Sequence, residues 1–221
     1  MASLLPTVLR DWWGFLFRSP PLLSACVLID YQNIHLTGHD VFAPPGVPKH
    51  ESLVLPQSFA RNLMDVRNGR MTNTTLHAEV EKVLVFRGRP SNKHQPQQYS
   101  RSQAQTSEWT RDPKVEVRPR TLRYPYDYPA SPAQEKGIDV MLAIELVQQA
   151  YKHTYDVLIL ASHDTDLEPA IEAAELLGTS RIETAGWKNC KRLQGGNRNH
   201  RWHTSLDGAA FVRSRDRTNY A

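Results

Sequence analysis

Asp164 and Asp166 stand one residue apart just past an apolar run, in Val157-Leu158-Ile159-Leu160-Ala161-Ser162-His163-Asp164-Thr165-Asp166. Carboxylates this close repel each other unless a positive charge lies between them, and a divalent cation is the usual one. The arrangement recurs near the start of the chain, where Cys26-Val27-Leu28-Ile29 leads into Asp30-Tyr31-Gln32-Asn33. A third segment places Asp139 at the opening of an apolar helical stretch. Hard cations such as Mg²⁺ or Mn²⁺ take carboxylate oxygens and keep several waters, so few protein ligands are needed. Such a centre can act on phosphate esters, neutralising the phosphate, activating water and stabilising the leaving oxygen. Asp30, Asp139, Asp164 and Asp166 are therefore the candidate metal ligands and catalytic acids. Asn33 can hold a metal water or a phosphate oxygen through its amide, Ser162 and Thr165 can hold a bridging water, and Lys136 can reach a substrate phosphate.

Each of these residues also has a simpler reading. An aspartate in a helix's first turn, such as Asp139, is favoured by the helix dipole alone. Asp166 can serve only to cap the helix that follows it; Asp164 has less such explanation, because one cap suffices. Asn33 can be a turn residue, and a lone loop histidine such as His163 is a weak candidate base. Glu145 lies six residues after Asp139, about 240° around the helix at the usual residue spacing, and reads as structural. The case rests on the segments taken together.

Positioning these acids requires strands that end where they sit. Short apolar runs predict strands over 25–30, Val83–Phe86, Val115–Val117, Asp156–Ala161 and Arg181–Thr184. Helical spacing predicts helices over Val8–Phe17, Pro56–Arg67, Gly137–Lys152, Leu167–Leu177 and Leu206–Val212, with Asn68-Gly69 and Gly178 as stops. Residues 38–53, rich in Gly and Pro, and the Gln/Ser-rich 88–112 read as loops, the second long and mobile. Strands alternating with helices imply an α/β fold, a three-layer Rossmann-like sandwich with a mainly parallel sheet of about five strands. Ligands of such sheets gather at the carboxyl ends of the strands, where Asp30 and Asp164 fall. No internal repeat is visible.

The chain of 221 residues is 40% hydrophobic and 23% charged, enough for one domain with a sizeable core. Its net charge of +4 favours a polyanionic partner. The charge is concentrated: residues 87–123 and 181–221 each hold nine Lys/Arg against three Asp/Glu. Two cysteines without Cys/His spacing speak against zinc and for a reducing compartment. In the Trp-rich stretch over residues 1–24, Arg10, Asp11, Arg18 and three prolines interrupt any membrane span, and a basic start and small-residue cleavage site are missing. No membrane association and a cytoplasmic location are expected. The tryptophans of that stretch can pack on their own domain or serve a homodimer.

The segments Leu28-Ile29-Asp30-Tyr31-Gln32-Asn33, Glu135-Lys136-Gly137-Ile138-Asp139-Val140-Met141-Leu142-Ala143 and Ser162-His163-Asp164-Thr165-Asp166-Leu167 resemble those of the NYN domain. That domain is the LabA-like branch of the PIN-like ribonuclease superfamily. Val85-Phe86-Arg87-Gly88-Arg89-Pro90 and Tyr155-Asp156-Val157 are similar to its second-strand segment and its approach to the fourth strand. The resemblance sets out an NYN unit over 25–187, an N-terminal extension over 1–24 and a basic C-terminal extension over 188–221. It implies a metal-dependent endoribonuclease leaving 5′-phosphate and 3′-hydroxyl ends, with Asp30, Asn33, Asp139, Asp164 and Asp166 in the family's site positions. Two departures, His163 for a small glycine and Leu167 for a common aromatic, bear on substrate fit and remove no ligand. RNA, single-stranded or structured, would meet Arg87, Arg89, Lys93, Arg101, Lys188, Lys191, Arg192, Arg198 and Arg201, with Tyr99, Trp109, Tyr124, Tyr126 and Trp202 stacking unpaired bases. A non-catalytic RNA-binding or regulatory module is the alternative. A phosphatase that needs Asp-x-Asp after its first strand is disfavoured by Asp30-Tyr31-Gln32-Asn33, and dinucleotide oxidoreduction by the lack of Gly-x-Gly-x-x-Gly after a strand.

Overall fold

The computed structural model describes residues 21–194 and 201–220, so the expected helix over Val8–Phe17 lies outside the described residues. Six strands, β1 (Leu23–Asp30), β2 (Ala78–Arg89), β3 (Val115–Thr121), β4 (Val157–Ala161), β5 (Arg181–Trp187) and β6 (His203–Leu206), form one sheet in the order β3-β2-β1-β4-β5-β6. Every neighbouring pair is parallel. The strand order reverses between β1 and β4, the crevice where ligands of doubly wound sheets sit.

Helices α1 (Tyr31–Phe42), α2 (Pro56–Arg70), α3 (Pro96–Trp109), α4 (Ile138–Lys152), α5 (Glu168–Leu177) and α6 (Gly208–Arg213) cover the sheet. Alternate strand residues face opposite ways. Ala25, Val27 and Ile29 join a core with Ile34 of α1 and Phe59 and Leu63 of α2, whereas Cys26 and Leu28 meet Leu142 and Leu146 of α4. In β4, Val157, Ile159 and Ala161 take the first side, Leu158 and Leu160 the second. Both faces are buried, which is why these strands read as unbroken apolar runs. The same parity sends Asp30 and Ser162 to the α4 side, where they bond to each other, and Arg87 to the α1 side, over Tyr31.

Several expectations are corrected. Residues 38–42 are not loop but the last turn and more of α1. Gly38 marks a close packing point there, since a Cβ on it would lie 2.8 Å from Nε1 of Trp187. Likewise 88–112 is not a mobile loop: it contains the end of β2 and the whole of α3, anchored by the fully buried Trp109. Asn68-Gly69 does not stop α2, which runs on to Arg70. Asn68 there donates to the Ala78 carbonyl and accepts the Ala78 N–H, while Arg67 and Glu183 make a buried ion pair at 2.7 Å. Leu206 ends a sixth strand rather than opening a helix; Asp207 then caps α6 by accepting the Ala210 N–H at 2.9 Å. The basic segment beyond residue 188 thus supplies a strand of the main sheet. Among the described residues, no helix is long and apolar enough to cross a membrane.

Candidate active site

The carboxyl ends of β1 and β4 are laced together through the site residues. Asp30, the last residue of β1, accepts the Ser162 hydroxyl at 2.8 Å and the Asn33 N–H at 3.4 Å, which caps α1. Ser162 in turn accepts the Asp164 N–H at 3.1 Å, and Asn33 Oδ1 accepts the His163 N–H at 2.8 Å. Asp164 Oδ1 accepts the Asp166 N–H at 3.0 Å and so caps the single turn Thr165–Leu167. The capping role expected of Asp166 therefore belongs to Asp164, and Asp166 is left exposed in that first turn. Ser162 and Asn33 use these oxygens to hold the β4 loop against β1.

The charges of several of these acids act on one another. Burial pushes Asp30 up to about 6, partly offset by its bonds to Ser162 and Asn33 and reinforced by the charges of Asp139 and Glu135. Asp139 is also raised, first by partial burial and then by the charges of Asp164 and Asp166. The four aspartates drawn from three segments thus share one electrostatic neighbourhood. Glu135 joins them, although the sequence reading gave it no role. Burial raises its pKa, the Gly88 N–H bond and Arg87 lower it, and Asp139 raises it. Its Oε1 accepts the Gly88 N–H at 2.7 Å, and a Cβ on Gly88 would lie 2.3 Å from that oxygen. The available signal was its place in the run Glu135-Lys136-Gly137-Ile138-Asp139.

Other expected contacts are placed differently. The Arg87 guanidinium lies 5.1 Å from the centre of the Tyr31 ring and 5.0 Å from that of Trp109, and donates to Gln105 Oε1 at 2.8 Å. It is a strut under α3 instead of an open phosphate contact. Trp109 is fully buried and donates to Asp216 at 2.8 Å, so it stacks on no base. Arg89 leans over Tyr99 at 5.8 Å, and Arg201 pairs with Glu175 at 2.6 Å; Arg198 lies outside the described residues. Lys136 is exposed, and its carbonyl accepts Arg120 Nε at 2.8 Å. Lys191 reaches Thr165 at 3.4 Å, which puts an ammonium beside the Asp164–Asp166 turn. His163 is occupied on both nitrogens: Nε2 accepts the Trp187 N–H at 3.0 Å, and Nδ1 donates to the Lys191 carbonyl at 2.7 Å. Burial lowers its pKa, so it is a neutral tie between β4 and β5 and no base. Glu145 accepts from Gln149 at 2.7 Å, in keeping with a structural role.

The donors around the acids are carboxylate and hydroxyl oxygens, the set that suits Mg²⁺ or Mn²⁺ and not a softer metal. Among the described residues, no three His, Cys, Asp or Glu side chains already close into a cage. An open cluster of acids agrees with an ion that keeps most of its waters and leaves positions for phosphate oxygens.

A family model for the NYN domain matches residues 24–189. No curated protein matches the chain. Among solved structures, the crystal structure of a protein of unknown function from Vibrio parahaemolyticus is similar at a TM-score of 0.48 and 15% identity, covering 80% of this chain and 88% of that one.

Proposed function

Since the chain belongs to the NYN domain family, a branch of the PIN-like nucleases, we propose that it is a metal-dependent endoribonuclease that hydrolyses RNA phosphodiester bonds at the acids between β1 and β4. The observation that carries the reading is the gathering of acids at the ends of β1 and β4. Asp30 bonds Ser162, which bonds the Asp164 backbone. The charges of Asp164 and Asp166 act on Asp139, as that of Asp139 acts on Asp30, beneath the larger effect of burial on both. Like charges gathered at one end of a sheet cost stability, and the cost is removed when a cation sits among them.

Asp30, Asp139, Asp164 and Asp166 would hold Mg²⁺ or Mn²⁺. When bound, such an ion supplies charge to the phosphate and a more acidic water. The chain's own residues do the positioning. Ser162 fixes one oxygen of Asp30 and Asn33 fixes the loop that carries Asp164, so two ligand-bearing segments are set by hydrogen bonds instead of by the ion alone. Lys191 beside Thr165 and the exposed Lys136 would attract a scissile phosphate. Both cysteines are free, as suits the cytoplasm.

Incubating the protein with mixed RNA with and without Mn²⁺, beside an Asp164→Asn variant, tests this. Cleavage that requires Mn²⁺ and is lost in the variant is expected, and equal cleavage by both proteins overturns the assignment. The alternative is a non-catalytic RNA-binding module. Tight binding of RNA with no scission under any metal would select it.

A further inference from the structure

Away from the acids, a groove of about 610 Å³ separates α3 from the segment that follows α6, with Arg101 and Gln105 on one wall and Arg215, Arg217 and Tyr220 on the other. A second hollow of about 680 Å³ continues it along α3 and shares Arg101 and Tyr220 with it. Arg101 and Arg217 are exposed, and neither makes an ion pair with a described residue. Of the two acids that line the groove, Asp216 is turned inward and Glu51 is exposed. Asp216 is buried and accepts from Trp109 at 2.8 Å and from the Tyr220 hydroxyl at 2.6 Å; Glu51 faces His50 at 3.9 Å. Toward solvent stand the guanidinium groups of Arg101, Arg215 and Arg217 and the ring of Tyr220, against the single exposed carboxylate of Glu51.

The groove also approaches the strand ends that carry the acids. Gln105 in its wall holds Arg87 at 2.8 Å. Arg87 lies over the ring of Tyr31, and Tyr31 directly follows Asp30. The groove lies beside Arg87 on the α1 side of the sheet and Asp30 faces the α4 side, so a strand linking them would round the carboxyl ends of β1 and β2. A basic groove that tracks a backbone, with an aromatic face for a base, is how proteins hold single strands without reading sequence.

We propose that this groove seats the single-stranded RNA backbone running to or from the acids, its phosphates on Arg101, Arg215 and Arg217 and a base against Tyr220. The proposal deepens the ribonuclease reading and rests on it, so its test is a binding measurement made without turnover. In an Asp164→Asn background, the affinity of a labelled oligouridylate is measured against salt, alone and with Arg101→Ala/Arg217→Ala or Arg101→Lys/Arg217→Lys added. Losing two phosphate contacts should weaken binding about tenfold near physiological salt and flatten the log–log salt slope by about 1.4. The lysine pair, which keeps the charge, should restore most of both. Unchanged affinity in the alanine pair overturns the proposal, as does an acidic peptide that displaces the oligonucleotide at equal concentration. If the unsubstituted protein cleaves RNA while the alanine pair binds normally, only the groove fails. If the pair loses binding while the unsubstituted protein cleaves nothing, the groove stands and the ribonuclease reading falls.

Discussion

Asp30 carries its charge against its surroundings. Its pKa stands near 6 in the folded protein against an ordinary 3.8, mainly because it is buried. Between those values the native state holds more protons than the unfolded chain, so stability falls as pH rises and the full penalty is present above about pH 6. Asp30→Asn is therefore expected to raise thermal stability at pH 7.5, by about 3 kcal/mol if the whole shift is recovered, and to leave it nearly unchanged at pH 3.5, while abolishing cleavage. Thermal unfolding at the two pH values checks it; a destabilised variant at pH 7.5 would show that the carboxylate has a compensating partner. By the same sign, Mn²⁺ should bind more weakly as pH falls through 6, because it must displace the proton. Gly88→Ala should push Glu135 off its bond, since the added carbon falls 2.3 Å from Oε1. The expected result is reduced cleavage with little change in overall fold, read by activity and circular dichroism. That Asp30 closes β1, Asp164 follows β4 and Asp139 lies in the first turn of α4 was legible from the apolar runs beside them. The commitments of Asn33, Ser162 and Arg87 were not, because a sequence shows donor and acceptor types but not which partner, 130 residues away for Asn33 and His163, takes them up.

Helices α1 and α3 were hidden by their composition. In α1, Gly38 resembles a breaker, yet it lets Trp187 approach the helix. Substitution by alanine at Gly38 should cost about 1–3 kcal/mol through overpacking, measurable as a lower denaturant midpoint. In α3, Ser102, Gln105 and Trp109 are the buried residues, too polar a set to give an apolar stripe. The helix is held by long-range contacts: Trp109 to Asp216, Tyr31 against Trp109 at 4.7 Å, and Arg87 between them. Trp109→Ala should cost about 3–5 kcal/mol and speed amide exchange throughout α3; slow exchange there in the variant would mean the helix stands without its anchor. Strand β6 was missed for a related reason, since His203-Thr204-Ser205-Leu206 is short and mostly polar. By contrast β1, β4 and α4 were plain, because both faces of the sheet are buried and their apolar runs are uninterrupted.

Over the molecule as a whole, the pleat of one parallel sheet separates two kinds of chemistry. On the α4 side of the β1–β4 crevice stand the carboxylates; across the strand ends, beyond Tyr31 and Arg87, stands the arginine-lined groove. A polyanion drawn to the groove would be delivered to acids that only a cation can make attractive to phosphate. RNA affinity should accordingly fall steeply with salt and rise when Mn²⁺ is added. Everything depends on an ion being held among the aspartates. Soaking crystals in Mn²⁺ and recording anomalous scattering decides that most directly. A peak should appear within coordinating distance of Asp30, Asp139 and the Asp164–Asp166 turn, and vanish in Asp164→Asn crystals. Manganese bound only elsewhere, or an empty crevice at saturating Mn²⁺, would contradict it.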